Sequence, residues 1–449
     1  MRITLIGGGG FRTPYIYHEL LRDDEPLADE LVLFDTDEDR LRAIGAVLAG
    51  YSTGHLLPRV TTTTDLPTAL RGADVVLTAV RVGGLAHRAA DERIASSLGL
   101  IGQETTGAGG IAYAIRTVPV MVEYARRIAE FAPRALVVNF TNPAGIITEA
   151  MRSVLGDRVV GVCDTPSSLV RRVAEALGVD PATHRPDYIG LNHLGWLRAY
   201  RSATGEDLLP GLIADDARLS ELEESKVFGA RWIRALGAVP NEYLHYYYDA
   251  REARDGIRDD APTRGESLIE SQGRLFEALK KHPEEGSRLW LDAVRQRNAT
   301  YMADARDGTL REQSGDDDSV FAEGYAGVAL DLVRAMRRGS GATMILNVAN
   351  GTTISGLPAD AVVEVTAVVD GAGIAPLSTA APTQHQLGLL QQVKSVERLA
   401  IQAAMTGDRE AAFAAFAGHP LVDSLRVAER LLAAYEEQIP EFAHVFDGR

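Results

Sequence analysis

Four consecutive glycines, Gly7-Gly8-Gly9-Gly10, follow directly on a short apolar segment, Ile3 to Ile6, and stand ahead of a helix predicted to start near Pro14. This arrangement constrains the fold more than any other feature of the chain. A strand that feeds a glycine turn and then a helix N-terminus lets backbone N–H groups approach a pyrophosphate closely. Gly7 and Gly9 open the G-x-G-x-x-G spacing, but its third position is Arg12, preceded by Phe11. Gly7, Gly8, Gly9, Gly10, Phe11 and Arg12 are therefore expected to form a cofactor loop with an imperfect fingerprint; a plain tight turn is the alternative. Asp35 adds to the case. It ends the next apolar run, Leu31 to Phe34, where a carboxylate accepts from ribose hydroxyls and repels a 2′-phosphate. NAD rather than NADP is the expected cofactor. Asp37, Glu38 and Asp39 crowd the same turn, so a solvated turn acid is the competing reading of Asp35.

Further apolar runs lie at 60–64, 74–80, 135–140 and 158–162, separated by helical stretches, the longest at 111–131. Continuous apolar runs of this kind belong to parallel strands covered on both faces. The expected fold class is α/β: a Rossmann-type, doubly wound parallel sheet over residues 1–166, then an α+β C-terminal domain over 167–449 for substrate, metal and oligomerisation, lactate/malate dehydrogenase-like as a whole. Ligands of such sheets bind at the carboxyl ends of the strands. Those ends carry the glycine loop, Asp35, Arg81, Asn142 and Cys163. After about Ser167 the pattern changes. Residues 188–201 read as extended, and 217–236, 262–282, 285–305 and 385–449 as helical. Residues 343–369 read as antiparallel strands turning at Asn350-Gly351, and the polar run 306–319 as a loop.

The formal net charge of −16 argues against nucleic acid and anionic membrane as partners, and an anionic substrate would need a local basic pocket. No apolar run reaches the roughly 18 residues that a membrane span requires. Cys163 is the only cysteine, which excludes an internal disulfide framework and, with no signal-type N-terminal segment, predicts a cytoplasmic location. Cys163 and His193, brought together, offer a thiolate and an imidazole. Two protein ligands are too few for a structural metal, but they leave positions for substrate or water, as a catalytic metal requires. A buried apolar cysteine and a hydrogen-bonded core histidine are the alternatives.

Five segments occur in one order: Gly102-Gln103-Glu104-Thr105-Thr106-Gly107, Asn139-Phe140-Thr141-Asn142-Pro143, Cys163 to Pro166, Gly190 to His193, and Tyr243-Leu244 followed by Tyr246-Tyr247. Together they resemble glycoside hydrolase family 4, the NAD- and metal-dependent glycosidases, and within it the bacterial 6-phospho-β-glucosidase branch. The resemblance implies a redox-assisted elimination. NAD⁺ accepts hydride from C3 of the sugar, the C2 proton becomes acidic and is removed, the aglycone leaves from C1, water adds, and the same NADH restores C3. It implies Cys163 and His193 as ligands of a divalent metal, Mn²⁺ or another ion, and Tyr243 as the base at C2. It places Glu104 and Arg81 beside the cofactor, and Asn142, Asn192, Arg88 and Arg264 on the substrate, the two arginines at a 6-phosphate. The implied partners are a phosphorylated disaccharide or aryl glucoside and further copies of the chain, as a homodimer or homotetramer.

Two departures from the family pattern stand out. Gly10-Phe11 replaces a usual pair of serines, and Asp164 replaces the asparagine usual in β-type enzymes. An aspartate there resembles the α-type enzymes, in which it is the general acid. Asp164 is thus either an acid for the leaving oxygen or a helix N-cap, and a 6-phospho-α-glucosidase or a non-phosphorylated glycosidase stays open. A 2-hydroxy acid dehydrogenase and a non-catalytic NAD sensor are the readings outside the family.

Overall fold

The computed structural model describes residues 1–22, 26–51, 57–256, 262–299, 325–339 and 341–447. Among the described residues, twelve strands form one sheet. In chain order they are β1 (Arg2–Ile6), β2 (Glu30–Phe34), β3 (Arg59–Thr63), β4 (Val75–Thr78), β5 (Leu136–Asn139), β6 (Val159–Gly161), β7 (Arg185–Leu191), β8 (Leu194–Arg201), β9 (Val239–Pro240), β10 (Ala342–Ala349), β11 (Val362–Asp370) and β12 (Gly373–Pro376). The sheet order is 3-2-1-4-5-6-10-11-7-8-9, with β12 on β11. The first six strands pair in parallel in the 3-2-1-4-5-6 order of a dinucleotide-binding fold. The rest pair antiparallel and join the first half where Asn347 of β10 meets Gly161 of β6.

The apolar runs follow from burial on both faces. Successive side chains of a strand point to opposite sides. Ile3, Leu5, Leu31 and Leu33 pack with Ile16, Leu20, Leu41 and Ile44 on one side. Ile6, Val32, Phe34 and Val76 pack on the other with Val118, Val122, Ala125 and Ile147 from the helices Gly107–Phe131 and Ala144–Leu155.

The C-terminal half departs from the expected elements in three places. Residues 188–201 are not one extended segment but the hairpin β7–β8, whose two-residue turn is Asn192-His193. The helical stretch expected over 385–449 is divided into Gln384–Thr406, Arg409–Gly418, Leu425–Gln438 and Pro440–Ala443. Gly407 ends the first in a left-handed conformation and Asp408 caps the second. Residues 217–236 likewise form three short helices rather than one, the last opening after Gly229 at φ +75. The expected loop at 306–319 and the end of the expected helix at 285–305 lie outside the described residues. Among the described residues, no helix is long and apolar enough to cross a membrane.

One buried ion pair fixes the helix that carries Arg88 to the long helix that follows Glu104 and Thr105. Arg116 of Gly107–Phe131 donates to both carboxylate oxygens of Asp91, on Gly84–Ser97, at 2.9 and 2.6 Å, and both side chains are fully buried. Removing one partner of such a pair strands the other charge. Asp91→Asn is expected to cost about 3–5 kcal/mol of stability, read as a lowered midpoint in chemical denaturation; a change below about 1 kcal/mol would contradict this role.

Candidate active site

The carboxyl ends of the parallel strands lie at one edge of the sheet, where folds of this kind bind their ligands in a crevice. At the end of β1 the glycine loop is as tight as its composition requires. Gly7 has φ +94, and a Cβ on it would lie 2.4 Å from the Ala79 carbonyl oxygen; one on Gly8 would lie 2.7 Å from Leu33. Gly7 and Gly8 both donate to the Phe34 carbonyl, and the turn closes from Gly10 N–H to Gly7. Asp35 accepts from Gly9 N–H at 2.9 Å and from Asp37 N–H at 3.1 Å, so it faces the loop. Its acidic neighbours have other partners: Asp37 caps the next helix, and Glu38 and Asp39 pair with Arg42 at the surface. Phe11 differs from expectation. Its side chain is buried against Trp290 and Val47, with Trp290 Nε1 donating to the Phe11 carbonyl at 2.9 Å. Only its backbone belongs to the loop, because an apolar ring at this position is better buried than wet.

Beyond β4 and β5 lies a charged layer. Glu104 stands between Arg81 at 2.5 Å and Arg88 at 2.8 Å, and Arg88 also binds Glu92 at 2.8 Å. Burial pushes the Glu104 carboxyl up, but the charges of Arg81 and Arg88 outweigh it and hold it at about 2. Arg81 Nη1 is buried with no hydrogen-bond partner, although its other contacts tie it to Glu104 and the Tyr113 ring. Arg264 opens the helix Arg264–Lys281, whose capping box is Thr263 and Glu266. That helix start lies against Ala89, where a Cβ on Gly265 would come within 2.8 Å, and Gly265 N–H donates to Glu92. Arg264 also donates to the carbonyl of Arg297 at 3.3 Å. Burial and the charges of Arg12, Arg264 and Arg88, opposed by Tyr15, lower the Arg297 guanidinium to about 10. Four arginines thus share one positive neighbourhood. Arg297, at the end of a polar helix that reads as a solvated face, is the member that sequence reasoning missed.

On the other side of the crevice, Cys163 follows β6 and His193 closes the β7–β8 turn. Cys163 is buried; burial, Glu364 and Asp164 push its thiol well above the usual range. His193 adopts φ +65, a left-handed conformation uncommon outside glycine. Its Nδ1 is 3.0 Å from Thr105 Oγ1, while its Nε2 is buried with no hydrogen-bond partner. Burial lowers the imidazole to about 4, against a weak pull from Glu104, so the ring is neutral and can act as a ligand. The buried thiol would need a cation to ionise, and the neutral imidazole has one nitrogen anchored and the other unpartnered; each by its own chemistry suits a ligand of a divalent metal. The Tyr243 ring stacks on His193, with centroids 3.7 Å apart and planes at 3°. Tyr246 is buried, and burial pushes the Tyr247 hydroxyl far above its usual range, leaving Tyr243 as the tyrosine of this segment that lies against the candidate metal ligand.

Asp164 precedes the helix Thr165–Leu177 but makes no side-chain capping hydrogen bond; its carboxylate lies 3.9 Å from Cys163 Sγ. Asn142 precedes Pro143 across a cis peptide bond, and its Oδ1 is buried with no hydrogen-bond partner. Asn192 is held by its neighbours in the fold. Its Oδ1 accepts from Ala144 N–H at 3.1 Å and its Nδ2 donates to Glu364 at 3.2 Å. Both ends of this amide are engaged by protein groups, because it sits at the base of a hairpin turn packed on a neighbouring loop.

Sequence models of the family described as "Family 4 glycosyl hydrolase" match residues 2–179, and those of its C-terminal domain match 188–422. The chain belongs to glycosyl hydrolase family 4. Among family-4 proteins it is 32% identical to a "Probable 6-phospho-beta-glucosidase" of Bacillus subtilis, over 98% of each chain. The solved structure of a Thermotoga maritima 6-phospho-β-glucosidase with NAD and glucose-6-phosphate superposes with TM-score 0.83 at 27% identity, covering 98% of this chain and 99% of the other. A 6-phospho-α-glucosidase from gut microorganisms, solved with NAD and Mn²⁺, gives TM-score 0.81 at 28% identity over 97% of each chain.

The buried imidazole sets a pH dependence. His193 has a reference value of 6.5 and is lowered to about 4 in the fold. Between these values the unfolded chain binds the extra proton, so stability falls as pH drops from about 6.5 towards 4. His419, lowered by burial to about 3, contributes in an overlapping range, so the contrast lies between variants. In metal-free protein, His193→Gln is expected to lose less melting temperature than wild type between pH 7 and pH 4.5. An equal loss in both would contradict the neutral, buried His193.

Proposed function

We propose that this chain hydrolyses 6-phospho-glucosides, with β-linked substrates preferred, using NAD and a divalent metal. Residues 1–166 would form the nucleotide unit and 167–449 the part that completes the metal and substrate site. The observation that carries the reading is the stack of Tyr243 on His193, whose unpartnered Nε2 lies buried in the crevice.

When bound, the dinucleotide would supply hydride acceptance at C3 and its return, and the metal would supply Lewis acidity at the sugar oxygens. The chain's own residues do the rest. The glycine loop and Asp35 hold the nucleotide, with Arg81 and Glu104 beside it. His193 Nε2 and Cys163 Sγ hold the metal. Tyr243, next to that charge, removes the C2 proton, since a nearby cation favours the phenolate. Arg88, Arg264 and Arg297 surround the 6-phosphate, with Arg12 of the cofactor loop adding its charge, and dianionic phosphate offsets the burial and the neighbouring charges that lower the Arg297 guanidinium. Arg88 also balances Glu92 and Glu104. Asn142 Oδ1 accepts from a sugar hydroxyl.

Asp164 favours a second reading. It makes no capping bond and lies beside Cys163, which suits a proton donor to the leaving oxygen and cleavage of 6-phospho-α-glucosides. 4-Nitrophenyl 6-phospho-α- and β-glucosides and their unphosphorylated counterparts, assayed with NAD⁺, Mn²⁺ and reductant, decide between them. Turnover confined to the phosphorylated β-substrate supports the first reading, and turnover of the α-substrate supports the second. Net NADH accumulation without cleavage would overturn both.

Two variants test the assigned roles. Tyr243→Phe is expected to lower kcat by about 10²–10⁴-fold while Mn²⁺ and NAD⁺ affinities hold; wild-type kcat would remove Tyr243 from the mechanism. Arg297→Met is expected to raise KM about 10–100-fold, the loss of one charge-assisted contact, with little change in kcat. An unchanged KM would place the phosphate elsewhere.

A further inference from the structure

Strand β11 carries one acid in an otherwise apolar run, Val362-Val363-Glu364-Val365, and Glu364 is 1% exposed. A buried carboxylate is tolerated only when donors surround it. Three donors do so here. Asn192 Nδ2 and Asn347 Nδ2 donate to Oε1 at 3.2 and 2.9 Å, and the Tyr188 hydroxyl donates to Oε2 at 3.3 Å.

Each donor leads to a different part of the site. Asn192 precedes His193 in the hairpin turn and also holds Ala144 N–H, two residues beyond Asn142. Asn347 pairs in register with Gly161, two residues before Cys163, so closely that a Cβ on Gly161 would lie 2.9 Å from its Cβ. Tyr188 accepts from Asn241 Nδ2 at 3.2 Å, and Asn241 Oδ1 accepts from Tyr243 N–H at 3.0 Å. Asn241 N–H in turn donates to Gly195, just past the hairpin turn. An apolar residue at 364 would satisfy the strand but leave these amides and the hydroxyl buried without an acceptor.

We infer that Glu364 is a positioning residue for this site: through Asn192 and Asn347 it sets the two metal-ligand segments, and through Tyr188 and Asn241 it sets the segment of Tyr243. The inference rests on the metal and base roles proposed above. It also separates into two arms. Oε1 serves the metal side and Oε2 the tyrosine side. Glutamine at 364 can keep an oxygen for the two asparagines but presents an amide to Tyr188. Tyr188→Phe removes only the tyrosine arm.

The test is Mn²⁺ affinity, followed by electron paramagnetic resonance of free Mn²⁺, with NAD⁺ affinity, near-ultraviolet circular dichroism and kcat measured on the same samples. Glu364→Ala is expected to weaken Mn²⁺ binding by about 10–100-fold, as loss of an outer hydrogen-bond partner does, with NAD⁺ affinity held. Glu364→Gln and Tyr188→Phe are expected to keep Mn²⁺ affinity and lose kcat with KM unmoved. Wild-type Mn²⁺ affinity in a folded Glu364→Ala protein, or equal losses of Mn²⁺ and NAD⁺ affinity, would overturn the inference. If Glu364→Ala does not fold, Asn192→Ala cuts the same arm and carries the same two outcomes. Cys163→Ala separates the levels: if it keeps Mn²⁺ affinity, the metal reading itself fails, whereas its loss alongside an unaffected Glu364→Ala protein rejects only the role of Glu364.

Discussion

The hydrogen bond between Thr105 Oγ1 and His193 Nδ1 crosses from the loop ahead of a long helix in the parallel half to a hairpin tip in the antiparallel half. It anchors one imidazole nitrogen and leaves the other unpartnered. The hairpin turn makes this possible. With β7 and β8 paired up to Leu191 and Leu194, only Asn192 and His193 remain to reverse the chain, and His193 takes the left-handed conformation. Backbone held in such a region is maintained only when its surroundings determine it. Here they do so through Thr105 on one edge of the ring, Tyr243 against its face, and Asn192 tied to Ala144 and Glu364 behind it.

Arginines gather in one part of the site although the chain as a whole is acidic. The chain carries a net charge of −16, yet Arg12, Arg88, Arg264 and Arg297 gather at one end of the site. Glu104 offsets part of this by bridging Arg81 and Arg88. Arg81 and Arg88 are thus already paired with carboxylates, while burial and the neighbouring guanidiniums raise the cost of charge on Arg297. An acidic protein can in this way take an anionic substrate through a local reversal of potential.

Much of the fold was legible in the sequence because both faces of the parallel sheet are buried. Ile3–Ile6, Leu31–Phe34 and Val75–Thr78 have no polar alternation to confuse them, and the glycine loop marks where the first strand turns. The β7–β8 hairpin was not legible as two strands, since its turn is Asn-His with neither glycine nor proline in it. The signal lay one step outward. Gly190 and Gly195 are register partners, and a Cβ on Gly190 would come within 2.4 Å of the Leu194 carbonyl oxygen. The motif residues of the site were legible by type, but their duties depend on packing. Asn192 reads as a ligand-facing amide and is also held by Ala144 and Glu364; Phe11 reads as part of a loop and is core. Glu364 was visible as an acid inside an apolar strand. Its meaning depends on Asn192 and Tyr188, which are far away in sequence, and on Asn347 of the preceding strand, all adjacent only once the antiparallel strands pair.

The central claim is that a base beside His193 removes the proton from C2 of the sugar, so that a glycosidic bond breaks by elimination. The most direct measurement is proton nuclear magnetic resonance of the glucose-6-phosphate released in deuterium oxide, with NAD⁺ and Mn²⁺ present. Elimination puts deuterium at C2 of the product and leaves no net NADH. Product that keeps a full C2 proton would contradict it, because displacement at C1 leaves that hydrogen in place.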